Sequence, residues 1–239
     1  MPGKLYFVPT PVGNLADMSN RALDVLSNVD VILAEDTRTT GVLLKHFNIE
    51  AHLLSHHKFN EHTSLMNIID RLLEGQNIAL VSDAGTPGIS DPGFLLSREC
   101  RKFEIPVETL PGPTAFVPAL VNSGLPTDRF CFEGFLPQKN GRQSRIQQIS
   151  TECRTSVIYE SPLRLVKTLT ELSEKCGGER NASVSREISK LHEETIRGTL
   201  NELVKHFTEH PPKGEIVIVL AGTEENKTKK IHKNKYKDL

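Results

Sequence analysis

The chain has 239 residues, 37% apolar and 5% aromatic, with 29 lysines and arginines against 30 aspartates and glutamates. This is enough for one large or two medium folded domains, and the apolar content excludes a disordered chain. The near-zero charge balance excludes nucleic-acid binding through global charge, leaving only local basic patches.

From the N-terminus, short β-branched runs alternate with amphipathic ones. Residues 5–8, 29–34, 78–82 and 107–110 read as strands, with 51–55 a weaker fifth. "SNRALDVLSN" places Ala22, Leu23 and Leu26 on one helical face. "HTSLMNIIDRLLEG" does the same with Leu65, Ile68, Ile69, Leu72 and Leu73, and stops at Gly75. Asp91-Pro92 is expected to cap and start a helix through "GFLLSRECRKF". Such alternation implies a largely parallel sheet with helices on its faces.

"NSGLPTDRF" is a connector, after which the alternation restarts. A strand "FCFEGF", a helix through "RQSRIQQIS" and a strand "SVIYE" are expected, then a helix from Ser161-Pro162. "ASVSREI" and "EETIRGTL" suit paired antiparallel strands, and Thr199 with Glu202 forms a capping box. "GEIVIVLAG" is a last buried strand. The expected organisation is an α/β domain at 1–122, a second at 123–222 and a lysine-rich tail at 223–239. The four cysteines, Cys100, Cys131, Cys153 and Cys176, form no C-x-x-C pair, so neither zinc nor disulfides are indicated. With no signal-like leader and no apolar run of about 18 residues, the protein reads as soluble, cytoplasmic and without membrane contact.

The most informative stretch is "VSDAGTPGISDPG" at 81–93, directly after a strand. Gly85 and Gly88 permit close backbone approach, and the prolines fix the path. Phosphate is disfavoured: the G-K-[ST] of a P-loop is absent, and the charged residues are Asp83 and Asp91. G-x-G-x-x-G is absent too. A cationic ligand with hydroxyls and an adenine, such as S-adenosylmethionine, fits better; the alternative is a turn whose Asp91 caps a helix. Similar loops at 10–19 and 111–126 would converge with this one if their strands are parallel neighbours.

"TPVGNLADMS", "AEDTRTTGVLLKHF", "SHHKFNEH", "VSDAGTPGISDPG", "LPGPTAFVPAL" and "YESPLRL" together resemble the 16S rRNA cytidine 2′-O-methyltransferases of the tetrapyrrole methylase superfamily. The resemblance runs from about residue 4 to 221. "EDTRTT" and "SHHKFNEH" point to the rRNA branch rather than the porphyrin and corrin branches. It implies two α/β domains of the tetrapyrrole methylase type, with the donor site in the cleft between them and a homodimer. The donor would be S-adenosylmethionine, and the acceptor the ribose of a decoding-centre cytidine in 16S rRNA, within the small ribosomal subunit. By the same resemblance, Pro11, Asp83, Gly85, Thr86, Thr114, Ala115, Tyr159 and Ala221 would contact the donor. Longer members carry an extra C-terminal helical segment where this chain has the lysine-rich tail.

In-line methyl transfer to oxygen needs no metal, but a ribose hydroxyl is a poor acid and benefits from a base. Glu35 or Asp36 would orient or deprotonate it and Arg38 contact a phosphate; the alternative is a capped helix start with a local ion pair. His56, His57 and His62 match no zinc spacing and are expected at the surface or on RNA. Lys58 with Phe59 suits a phosphate and a stacked base, the alternative being a core Phe59. Lys139, Arg142, Arg145, Arg164, Lys167 and the tail lysines 227, 229, 230, 233, 235 and 237 are the candidate basic surface, the alternative being ordinary solvated helix faces. "SREISKLHEET" suits an exposed hairpin or the cleft edge and is assigned no role. Competing readings are a tetrapyrrole- or protein-directed methylase, and a non-catalytic RNA-binding protein.

Overall fold

The computed structural model describes residues 1–223; the lysine-rich tail expected beyond them lies outside the described residues. In the first half, β1 (Leu5–Phe7), α1 (Asn20–Asn28), β2 (Val31–Ala34), α2 (Thr37–His46) and β3 (Leu53–Ser55) are followed by α3 (Glu61–Leu73), β4 (Ile78–Val81), α4 (Phe94–Lys102) and β5 (Val107–Thr109). All five strands are parallel, in the order β3-β2-β4-β1-β5. The period-2 rule sorts their side chains onto two faces. Val31, Leu33, Ile78 and Leu80 meet Ile68, Ile69 and Leu72 of α3 and Leu96 of α4. Their alternates, Ile32, Ala34, Ala79 and Val81, meet Ala22 and Leu26 of α1 and Leu44 of α2.

The second half comprises α5 (Phe116–Ser123), β6 (Phe130–Phe135), α6 (Arg142–Thr151), β7 (Thr155–Glu160) and α7 (Leu165–Cys176), then β8 (Asn181–Arg186), β9 (Glu194–Thr199), α8 (Leu200–Glu209) and β10 (Ile216–Leu220). Its sheet runs β6-β7-β10-β8-β9. Only β6 and β7 pair in parallel; the other three pairings are antiparallel. The renewed alternation along the sequence therefore does not continue as a parallel sheet: β10 returns against both β7 and β8. One face carries α6, α7 and α8, through Ile146, Leu169, Leu203 and Phe207 among others. The opposite face carries α5, whose Ala119 and Leu120 pack on Val157, Val217 and Val219. That helix thus belongs to the second sheet, although it precedes the connector that the sequence suggested as the divide.

Two helix starts fall later than the sequence suggested. α4 begins at Phe94 after Gly93 (φ 141°), with no side-chain cap, so Asp91 is released from capping. α7 begins at Leu165 rather than at Ser161-Pro162. The Thr199–Glu202 capping box is present as expected.

Arg142 departs from the expected basic surface. It is buried in the first turn of α6 and donates to Glu171 (2.7 Å), Thr168 Oγ1 (2.8 Å) and the Pro137 carbonyl (3.2 Å). Thr168 passes the contact on, donating to Glu160 Oε2 at 2.6 Å. Breaking a buried charge pair from one side leaves the other charge uncompensated. Arg142→Ala is accordingly expected to cost about 3 kcal/mol in urea unfolding; unchanged stability would mean that this residue faces solvent.

Candidate active site

The parallel order sets the carboxyl ends of β1, β2, β4 and β5 side by side, where open α/β sheets bind ligands. Hydrogen bonds tie the loops that follow them. Thr10 and Gly85 exchange two backbone bonds, each 2.9 Å. That bridge needs Gly85 at φ +85°, a conformation open to glycine at little cost. Thr86 Oγ1 donates to the Pro113 carbonyl (3.0 Å), and the Asp36 N–H donates to Asp83 Oδ1 (3.2 Å). The three glycine-proline loops do converge, and the turn at 35–38 joins them.

Between these loops and the second sheet lies a cavity of about 470 Å³. Its first wall includes Val12, Glu35, Asp83, Gly85, Thr86 and Asp91, with Thr114 and Ala115 from the third loop. The facing wall includes Phe135, Tyr159, Glu160 and Pro162, the hairpin residue Ile188, and residues 214–217 leading into β10. The hairpin between β8 and β9 also reaches across: Ser189 Oγ donates to Asp17 Oδ2 at 2.9 Å. A hairpin at the cleft edge is one of the two alternatives for "SREISKLHEET", though Ile188 is given no role there. Glu215 could not be found from spacing, because no local pattern says that a strand entrance meets these loops.

The cavity is acidic and partly desolvated. Burial raises the Glu35 carboxyl, and the nearby Asp83 raises it further. Burial likewise raises Asp83. Asp91 is pushed up to about 7, first by burial and then by Glu35. The phenol of Tyr159 is pushed up to about 12 by burial. Carboxylates gathered against apolar walls repel anions and favour a cation.

Six of the eight expected donor contacts, Asp83, Gly85, Thr86, Thr114, Ala115 and Tyr159, line this cavity. Pro11 instead lines a neighbouring one. Ala221 lies past the far end of β10, its N–H bound to the Asn181 carbonyl (2.9 Å) and its carbonyl to Arg180 (2.6 Å). Of the three expected catalytic residues, Glu35 faces the cavity. Asp36 caps α2 through the Arg38 N–H (2.8 Å) and binds the Arg38 guanidinium at 3.0 and 2.6 Å. Those bonds hold its carboxyl down at about 2. The Arg38 side chain is 89% exposed.

His56 departs from the expected surface role. It is fully buried, with Nδ1 3.0 Å from Ser64 Oγ, and burial drives its pKa down to about 4. Phe59 is 84% exposed, with the Lys58 ammonium 5.2 Å from its ring centre. Arg145 is exposed but paired with Glu133 (2.7 Å), and Arg164 is paired with Glu160 (2.8 Å); Lys139 and Lys167 are exposed. Among the described residues, no three His, Cys, Asp or Glu side chains gather as a metal site, and no helix is long and apolar enough to cross a membrane.

Residues 4–204 match the family described as Tetrapyrrole (Corrin/Porphyrin) Methylases. The chain belongs to that family. It is 52% identical to the ribosomal RNA small subunit methyltransferase I of Synechocystis, over 92% of this chain and 79% of that protein. The Thermotoga maritima protein of the same name is 46% identical, over 93% of this chain and 100% of its own length. Among solved structures, the uroporphyrin III C-methyltransferase of Thermus thermophilus superposes with a TM-score of 0.64 at 18% identity, covering 91% of this chain and 97% of that one. A cobalt precorrin-4 methyltransferase gives 0.64 at 16% identity, covering 91% and 94%. This tetrapyrrole methylase fold has its α/β halves facing each other across the acidic crevice, and the protein is a methyltransferase.

The crevice makes stability depend on pH with a definite sign. Asp91 titrates near 4 when unfolded and at about 7 when folded, so the stability it contributes in its neutral form is lost as pH rises through that window. Asp91→Asn is expected to match the parent protein below about pH 4 and to exceed it in stability above about pH 7. Urea titrations of both proteins at about pH 5 and about pH 8 would check this; an equal difference at the two would show that the carboxyl is not desolvated.

Proposed function

We propose that this methyltransferase uses S-adenosylmethionine to 2′-O-methylate the ribose of a decoding-centre cytidine in 16S rRNA, within the small ribosomal subunit. The observation that carries the donor assignment is the crevice itself. Glu35, Asp83 and Asp91 supply negative charge for a sulfonium and an ammonium, while Tyr159, Phe135 and Ile188 offer apolar surface for an adenine. A phosphate-bearing donor would meet those carboxylates in a cavity that no lysine or arginine lines among the described residues.

The RNA assignment is supported by the relatives named above and by exposed groups at the mouth. Glu35 feels the charges of Lys58 and His57, so the "SHHKFNEH" loop borders the site. Lys58 and Phe59 on that loop, and Arg38 beside it, suit a phosphate backbone and an unstacked base. The proposal includes a cytoplasmic setting and a homodimer, the latter checked by sedimentation.

When bound, the donor supplies a methyl group on a positively charged sulfur. The ribose oxygen forms the new bond to the methyl carbon as the carbon–sulfur bond breaks, and S-adenosylhomocysteine leaves. Glu35, raised by burial, is the better placed carboxylate to take the hydroxyl proton. Asp36 is committed to Arg38 and to the start of α2.

Tritiated methyl transfer is the test, with small ribosomal subunits lacking this modification, naked 16S rRNA and a precorrin as parallel acceptors. Label at a 2′-O-methylcytidine in the subunit is expected; label only on the precorrin would sink the RNA reading. Glu35→Gln is expected to lower kcat at saturating donor about 100-fold, beyond any loss of donor affinity that its missing charge brings. Asp36→Ala should retain most turnover, and a loss as large as that of Glu35→Gln would move the proton-accepting role to Asp36.

A further inference from the structure

A second cavity of about 300 Å³ lies on the other side of Asp83, between the loop after β1 and helix α2. Asp83 and Ser82 form its inner end, Pro11 and Leu15 one side, and Val42 and Leu43 the other. The helix face that it exposes is regular. Thr39, Val42, Leu43 and His46 stand at i, i+3, i+4 and i+7, while Thr40 and Leu44 turn to the sheet and are buried. An apolar helix face normally packs on something. Here Val42 is 73% exposed and Leu15 43% exposed.

Asp83 lines both cavities, so a group lodged in the second one reaches the donor crevice at that carboxylate. Its volume is at the lower end for small-molecule sites and suits one nucleoside better than a macrocycle of four pyrrole rings. An exposed cation, Arg38, stands in the first turn of the same helix and adjoins Asp83 through Asp36. A chain with phosphates is therefore steered to the Arg38 side, away from the carboxylates.

We propose that this second cavity receives the acceptor nucleoside, its base turned out of an RNA strand onto the surface of Pro11, Leu15, Val42 and Leu43, and its ribose toward Asp83. The assignment rests on the RNA-methylation reading above and adds the place where the acceptor is read. Bases that are modified or recognised singly are splayed out of their stack, and apolar surface offsets the lost stacking.

Val42→Trp fills the cavity from a position exposed enough to take the larger side chain. Its kcat/KM for small-subunit methylation is expected to fall at least tenfold, while donor affinity by calorimetry stays within twofold. Leu15→Trp, on the opposite side, should do the same. Parent-like turnover in both variants would overturn the assignment, as would a matching loss of donor affinity. Should the parent protein label a precorrin and not the subunit, the RNA reading itself fails and the nucleoside site with it, an outcome visible before either variant is made.

Discussion

Carboxylates held together in a partly dry crevice are the constraint on which this molecule turns. Glu35, Asp83 and Asp91 lie in the loops that follow two neighbouring parallel strands; burial raises all three, Asp83 raises Glu35 further, and Glu35 and Asp83 raise Asp91. Such a cluster opposes folding, because each charge loses water and gains like-charged neighbours. Two separately packed sandwiches supply the opposing stability, and the loops between them are cross-tied at Thr10–Gly85, Thr86–Pro113 and Asp36–Asp83. A cation in the crevice removes the repulsion and keeps the desolvation useful, since charge interactions strengthen where water is excluded.

The second wall is held by a different device. Glu160 is almost fully buried, yet it accepts from Thr168, from Arg164 and from the Ser161 N–H (2.7 Å). Thr168 in turn accepts from buried Arg142. This chain of donors fixes one carboxylate of the cavity wall, whereas Asp83 opposite is tied by the Asp36 N–H alone among the described residues. The asymmetry leaves the first wall as the one that responds to a ligand.

Much of the fold was legible in the sequence because burial on both faces writes uninterrupted apolar runs such as "VILA" and "IALV". The glycine-proline loops were legible for a related reason: bare backbone after a strand has few other uses. Two helices were less so. α2 reads only as an alternative, a capped start with a local ion pair at Asp36 and Arg38, because "TRTTGVLLKH" carries three threonines and a glycine of weak helix propensity; its stability comes from Leu44 in the core. α5 contains Pro118 and reads as loop, yet proline is tolerated in a first turn and Ala119 and Leu120 anchor it. Asp91-Pro92 misled in the opposite direction. It has the form of a helix start, but the chain turns through Ser90 at φ 67° and Gly93 before the helix begins. Asp91 is thereby a wall residue of the crevice. The facing wall, Ile188 and 214–217, is a product of tertiary assembly, and Ala221 was misplaced because sequence does not say which end of β10 meets the cleft.

The position of β10 bears on how the protein is made. It is the last strand in the described chain, yet it sits third of five in its sheet, hydrogen-bonded to β7 on one side and β8 on the other. The first sheet has all its strands by residue 109 and can assemble while synthesis continues. The second has a gap at its centre until residue 220 has left the ribosome, and the same strand carries Ile216 and Val217 to the cavity wall. A polypeptide that ends before β10 therefore keeps its carboxylate loops but lacks residues 214–217 of the facing wall and the strand that joins β7 to β8. The pocket is complete only once β10 has entered the centre of the second sheet.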